Sequence, residues 1–314
     1  LPKGVKEPEA VVTVGEGAKL IGVGSVIRIG PTGRGILLML AAFFFFTLLD
    51  ALAKDLVARL PVAQVVWARI AVQMALVAVI LRGRLPALAR TAMPGMHLAR
   101  ALTQLGAAGF FFASLAYIGL AEATALADLN PILITLGAAL FLGERLGPHR
   151  IAGVAAAMVG ALVIIRPGAD VFTPAALLPL GCAVCYAANG LLTRAVGARE
   201  GVWTSMILTS AIGTAIMTAI LPFVAVPVAP GDMLRLIAIG ALGTTSQLCL
   251  IRAFSLAEAS AVAPFSYFGI VLAAGWGVLF FGEWPDGWTV TGMALIVTAG
   301  LYVWQRETRA SGRA

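Results

Sequence analysis

From Gly35 onward the chain is divided into apolar segments of about twenty residues, separated by short breaks rich in Gly, Pro and charge. No other feature restricts its folding so strongly. Inside hydrocarbon every backbone N–H and C=O must find a partner within the protein, and for a single run of this length that means an α-helix. Ten spans are read, at 35–53, 62–81, 98–118, 122–142, 149–165, 174–193, 203–221, 233–251, 261–281 and 288–305. With 60% hydrophobic residues, 12% charged residues and a mean hydropathy of +0.97, the composition lies outside the range of soluble domains. The expected class is an all-α integral membrane protein with a lipid bilayer as its solvent. Residues 1–34 and 306–314 are read as cytoplasmic tails.

The placement of basic residues gives an orientation. Ten spans put both ends on one side, and that side holds seventeen Lys and Arg. They are Lys3, Lys6, Lys19, Arg28, Arg34, Arg82, Arg84, Arg90, Arg100, Arg145, Arg150, Arg194, Arg199, Arg252, Arg306, Arg309 and Arg313. The other side holds four, Lys54, Arg59, Arg166 and Arg235, and Arg69 lies within the second span. Basic loops stay in the cytoplasm, so both termini are expected there. In a chain of this kind the net charge of +7 reports orientation and does not call for a nucleic-acid partner.

One element occurs twice. LAEATALADLNPILITLGAALFLGER, Leu120 to Arg145, returns as LAEASAVAPFSYFGIVLAAGWGVLFFGEW, Leu256 to Trp284. Each copy closes on Gly-Glu, at Gly143-Glu144 and Gly282-Glu283, and a glycine stands nine residues past each Glu, at Gly153 and Gly292. The repeat units are residues 35–166 and 174–305. Five spans per unit is an odd number, so the second unit enters the membrane from the opposite side. Inverted five-helix repeats suit a carrier that presents one central site alternately to two compartments.

Signatures of catalysis are missing. His97 and His149 are the only histidines, and neither HExxH, GxSxG nor a phosphate-binding loop occurs. No catalytic residue, metal site or cofactor is expected. Cys182, Cys185 and Cys249 lie in apolar stretches and read as packing residues.

Polar groups inside the spans are the remaining clue, because in hydrocarbon they face a cavity or a partner. Arg69 stands seven residues into the second span, about 10 Å deep at 1.5 Å per residue, with Asp128 at similar depth and Asp50 nearby. An ion pair that fixes helix packing and a direct role with substrate or protons both agree with this placement. Asp128, Asn130 and Pro131 form a polar cluster at a proline, which loosens the helix and frees carbonyls. Pro264, Ser266 and Tyr267 do the same in the second copy, so the two copies are expected to face each other across a path. Gln104, Tyr186, Asn189 and Gln247 are further cavity candidates, with Trp276 as an apolar wall. Glu122, Glu258, Glu144 and Glu283 stand at helix ends, where capping suffices. Gly153 with Ala157, and Ala156 with Gly160, allow close helix packing, within the subunit or in a homodimer.

The ten-helix duplicated plan, the two repeated segments and Trp67-Ala68-Arg69 resemble the drug/metabolite transporter superfamily, EamA-type. The resemblance covers about residues 35–305 and is similar to that of bacterial aromatic amino-acid exporters. It implies a secondary carrier of the bacterial inner membrane, exporting amino acids or related small metabolites by alternating access through a cavity between the halves. Uptake or exchange of S-adenosylmethionine or a nucleoside-like metabolite, and drug efflux, are the other readings within transport. A membrane enzyme lacks a convergent acid, base and nucleophile, and a sensor lacks an appended soluble domain.

Overall fold

The computed structural model describes residues 30–82, 91–142, 148–167, 173–197, 200–257 and 263–311. The first Gly-Glu pair, Gly143-Glu144, and Glu258 lie outside these. Among the described residues the regular structure is helical. The first half contains α1 (Pro31–Val57), α2 (Val62–Leu81), α3 (Pro94–Leu115), α4 (Leu120–Ala127), α5 (Asn130–Leu142) and α6 (Pro148–Ile165). The second contains α7 (Leu178–Gly197), α8 (Val202–Val224), α9 (Pro230–Leu256), α10 (Phe268–Phe281) and α11 (Gly287–Ser311). Short 3-10 turns at Pro174–Leu177 and Ala263–Tyr267 lead into α7 and α10. Proline occupies the first turn of α1, α3 and α9, where its missing N–H costs nothing. Among the described residues seven helices are long and apolar enough to cross a membrane, and the stretches Ile151–Ile165 and Phe265–Phe281 are shorter apolar helices.

The span expected over 122–142 is not one helix. It breaks after Ala127, at Asp128 and Leu129, and resumes at Asn130. Pro131 has no N–H to offer the preceding turn, and the Ile132 and Leu133 amides both turn to the Leu129 carbonyl, at 3.1 and 3.0 Å. Asp128 sits at the break.

Helix pairing exchanges the two halves. The pair α1–α9 has its counterpart in α7–α3, α2–α9 in α8–α3, and α1–α10 in α7–α5. The pairs α2–α8, α4–α10 and α6–α11 map onto themselves. The α6–α11 seam gives a direction. A Cβ placed on Gly160 would lie 2.9 Å from the Gly292 carbonyl oxygen, whereas one on Gly153 would lie 3.6 Å from the Ala299 carbonyl oxygen and against the Val303 side chain. Contacts descend one helix as they climb the other, so α6 and α11 are antiparallel. The small-residue stripe of α6 is used within the subunit, against α11.

The second Gly-Glu pair terminates α10. Gly282 adopts φ +66°, the left-handed conformation that glycine tolerates, and its N–H bonds the Val278 carbonyl while that of Glu283 bonds Gly277. Gly282→Ala is expected to lower stability by about 1 kcal/mol, read as a lower unfolding midpoint in detergent.

Glu283 then reaches across to the other half. Its Oε1 lies 2.6 Å from Lys54 Nζ near the end of α1, and its Oε2 accepts the Leu120 N–H that opens α4, at 3.1 Å. Lys54 also donates to the Ile118 carbonyl at 2.7 Å. Capping is thus part of the role of Glu283, but the cap is supplied to a helix of the opposite half. Glu122 accepts a hydrogen bond from Thr289 Oγ1 at 3.0 Å, which ties α4 to α11.

Candidate functional site

A cavity of about 470 Å³ lies between the halves. Its walls come from α1, α2, α3, α4, α5, α7, α8, α9 and one residue of α10, and among the described residues α6 and α11 supply none. Apolar surface comes from Phe43 and Phe46 of α1, Phe111 of α3 and Leu250 and Ile251 of α9. Of the aromatic run Phe43 to Phe46, one edge therefore faces the cavity, while Phe44 is exposed on the outside and meets Trp276 edge-on at 5.5 Å.

The cavity brings together Arg69, Gln104, Asp128, Asn130, Tyr186, Asn189 and Gln247, seven of the residues picked out from the sequence. It does not include the other two. Trp276 donates from Nε1 to Thr47 Oγ1 at 3.1 Å and stacks on Phe280, with centroids 5.4 Å apart, so its ring lies behind α1. Tyr267 turns its hydroxyl against Gly300 of α11. Tyr267 was picked for its place beside Pro264 and Trp276 as an aromatic wall, and neither signal specifies which way a side chain points around the axis. Helices α4 and α10 do pack together, but α4 and the break after it line the cavity with Thr124, Ala127, Asp128 and Asn130, while α10 gives only Gly269.

Charge is concentrated at the break in the fourth span. Asp50 and Arg69 interact electrostatically, as do Asp50 with Asp128 and Tyr186 with Arg69. The Arg69 guanidinium lies over the Phe112 ring, 5.6 Å from its centroid, and Nε has no hydrogen-bond partner among the described residues. Gly243 of α9 lies alongside it: a Cβ there would be in ordinary contact with Nε at 3.7 Å and tight, at 3.0 Å, only against Leu49 Cδ1. Two carboxylates and one guanidinium thus share the deep part of the cavity. Asn130 donates to the Ala127 carbonyl left by the break at 3.4 Å.

Asn189 joins helices as well as lining the cavity. Its Nδ2 donates to the Arg100 carbonyl at 2.8 Å and to Thr103 Oγ1 at 3.1 Å, binding α7 to α3. Trp67, beside Arg69, donates to Thr218 at 2.9 Å and fixes α2 against α8.

Sequence reasoning missed several cavity residues, Gln73, Thr193, Glu200, Ser205, Thr209 and Ser210 among them, and the most consequential is Arg100. It was assigned to a basic loop, yet it stands seven residues into α3, is 8% exposed and lines the cavity. Its signal was available: the expected span beginning at 98 already enclosed it. With Arg100 removed, the basic count for that side falls from seventeen to sixteen.

Each end of the cavity axis is latched across the halves. At the α7–α8 end, Glu200 accepts from Thr91 Oγ1 at 2.6 Å and from the Ala92 N–H at 3.0 Å, and its Oε2 lies 2.8 Å from Nε2 of the fully buried His97. An ionised carboxylate only accepts, so Nε2 carries the hydrogen. At the opposite end, Arg59 of the α1–α2 turn lies 2.5 Å from Asp55 and 3.2 Å from Asp232, and Asp232 is 2.8 Å from Arg235. Exchanging the halves brings the α1–α2 turn and the start of α9 onto the α7–α8 turn and the start of α3. The two latches are therefore counterparts with different chemistry.

The Thr91 hydroxyl, then His97, holds the Glu200 carboxyl below its usual range, with the Ala92 amide adding to this. Hydrogen bonds that favour the charged form stabilise the fold above the unfolded-state pKa, and that contribution is lost as pH falls through the depressed folded-state value. The stability difference between wild type and Glu200→Gln is expected to stay constant through neutral pH and shrink below about pH 4, measured as unfolding midpoints across a pH series.

Among the described residues no cluster of His, Cys, Asp and Glu could hold a metal ion. The three cysteines are free, with Cys182 buried and Cys185 against Gly106. Apolar helices around a buried, charged and aromatic-walled cavity define a multi-pass membrane transporter.

The sequence comparisons are specific about its kind. The model of the EamA-like transporter family matches residues 33–166 and again 173–304, and the chain belongs to that family. The pseudopaline exporter CntI of Pseudomonas aeruginosa is 35% identical over 269 residues, covering 84% of this chain and 94% of that protein. A riboflavin transporter of Rhizobium johnstonii is 37% identical over 227 residues, covering 70% and 73%. An S-adenosylmethionine uptake transporter of Rickettsia bellii is 25% identical over 232 residues, covering 71% and 77%. A solved crystal structure 23% identical in sequence matches with a TM-score of 0.62 over 88% of this chain and 98% of its own, a likeness of fold.

Proposed function

We propose that this protein is a secondary carrier that exports an amino acid or a related small metabolite across the bacterial inner membrane, with both termini in the cytoplasm. The observation that carries the reading is the cavity of about 470 Å³ in which Arg69 and the Asp50–Asp128 pair face aromatic walls. Its volume falls in the range of metabolite sites, about 300–1,000 Å³. A zwitterion finds both signs of charge there, and an apolar or aromatic side chain finds Phe43, Phe46 and Phe111. The family relationship and an exporter at 35% identity support the direction.

The repeats are read as inverted, and the antiparallel packing of the equivalent helices α6 and α11 supports this. Transport by alternating access follows from that symmetry, with the Glu200 latch parting on the cytoplasmic side and the Arg59–Asp232 latch on the other. Because the latches are counterparts, a motion that opens one has a pseudo-two-fold-related motion that opens the other. No soluble domain or catalytic set is required by this reading, which makes the protein a carrier and not an enzyme.

The second reading is uptake of a cationic, nucleoside-like metabolite such as S-adenosylmethionine. Two observations favour it: carboxylates outnumber Arg69 at the deep end, and one relative carries that name. Counterflow in proteoliposomes decides, using labelled aromatic and aliphatic amino acids, S-adenosylmethionine and riboflavin, with and without a pH gradient. Exchange of an amino acid is the expected result. Absence of exchange for every amino acid, with exchange of S-adenosylmethionine, would replace the first reading by the second.

A further inference from the structure

Arg100 has an arrangement that packing alone does not call for. Its guanidinium is buried at the cavity wall, where it donates from Nε to Thr193 Oγ1 at 3.0 Å, and from Nη1 to Ser205 Oγ and, at 3.3 Å, to Thr209 Oγ1. These acceptors are neutral hydroxyls on α7 and α8, and among the described residues no carboxylate pairs with it. Buried arginines are ordinarily matched by an anion, because hydroxyls offset only part of the cost of removing the charge from water. Glu200, an acid of the same cavity, is occupied on both oxygens by Thr91, Ala92 and His97. The anion that would balance Arg100 is not supplied by the described part of the chain.

We propose that Arg100, seated by Thr193, Ser205 and Thr209, is a carboxylate-binding subsite of the transport cavity, and that the substrate carries an anionic group there and a cationic group at Asp50 and Asp128. This rests on the transport reading and narrows it to an elongated amphoteric metabolite. The spacing follows from α7: Tyr186 borders the deep charges and Thr193 bonds Arg100, and seven residues of helix separate them by about 10 Å. The three hydroxyls take the N–H of Nε and both of Nη1, which leaves the two N–H groups of Nη2 to meet a carboxylate through charge-assisted hydrogen bonds. Free α-amino acids with uncharged side chains, whose charges sit on one carbon, engage one end at a time and exchange without using both.

Binding to the purified full-length chain in detergent tests the proposal with three probes. They are labelled 8-aminooctanoate, whose charges span about 10 Å when extended, its amide 8-aminooctanamide, and the short 4-aminobutanoate. Wild type is expected to bind 8-aminooctanoate at least about tenfold more tightly than either comparison probe. Arg100→Gln, which removes the charge but keeps an N–H donor, should abolish the preference for acid over amide, and Arg100→Lys should keep part of it. Should Arg100→Gln fail to fold, the Ser205→Ala/Thr209→Val protein, with Arg100 intact but unseated, should show a preference reduced several-fold. Equal binding of acid and amide by wild type, binding of none of the probes, or an unaltered preference in the variants would each overturn the subsite. Preserved acid preference without counterflow would sink the transport reading and leave the subsite standing. Counterflow without acid preference would do the reverse.

Discussion

Arg69→Ala is expected to lower counterflow by at least about tenfold and to lower the unfolding midpoint, because Asp50 loses the cation that offsets its desolvation. Arg69 is the cation beside Asp50, and Asp50 in turn interacts with Asp128. Without it, two carboxylates face each other in the deep cavity with no cation beside them. The Phe112 ring loses the guanidinium lying over its face, and Tyr186 loses its partner. Arg69→Lys separates the two effects, because it retains charge but not the fork: stability should largely return while flux stays below wild type. Wild-type flux in folded Arg69→Ala protein would reduce the residue to a helix fastener.

The second large effect is expected at the α6–α11 seam. A Cβ on Gly292 would lie 2.5 Å from Ile164 Cγ1 and 2.6 Å from the Gly160 carbonyl oxygen. Backbone cannot retreat there without separating the helices. Gly292→Leu and Gly160→Leu should each cost at least about 1–3 kcal/mol, the range for overpacked interiors, seen as a lowered unfolding midpoint and reduced membrane yield. Since neither helix lines the cavity, protein that does fold should keep its substrate preference. A changed preference with unchanged stability would contradict the separation of seam and cavity.

How legible all this was in the sequence depends on the physical quantity concerned. Hydropathy fixes where the chain must be helical in lipid, and the span positions follow from it. The repeat follows from Gly-Glu and the glycine nine residues on, because close helix packing leaves little choice at Gly292. Depth was legible too, and it drew attention to Arg69 and Asp128. Rotation about the helix axis was not. Trp276 and Tyr267 are at promising depths but point to Thr47 and Gly300, and only tertiary packing settles that. Arg100 was hidden by its nearness to a span edge, where a basic residue ordinarily belongs to a loop. Glu283 and Glu200 were equally hidden, since their partners stand more than a hundred residues away in the chain. Pro131 announced a weakened helix, but the full interruption at Asp128 and Leu129 required the folded context.

The seam between α6 and α11 has a practical value. It is built on close packing, Gly160 against Gly292, and among the described residues neither helix contributes to the cavity wall. Val159 and Val290 are exposed on these two helices. Probes attached there would occupy a fixed frame against which displacements of α1, α3, α7 and α9 could be measured during a transport cycle. The part of the molecule with no chemistry is thereby the natural ruler for the part that has it.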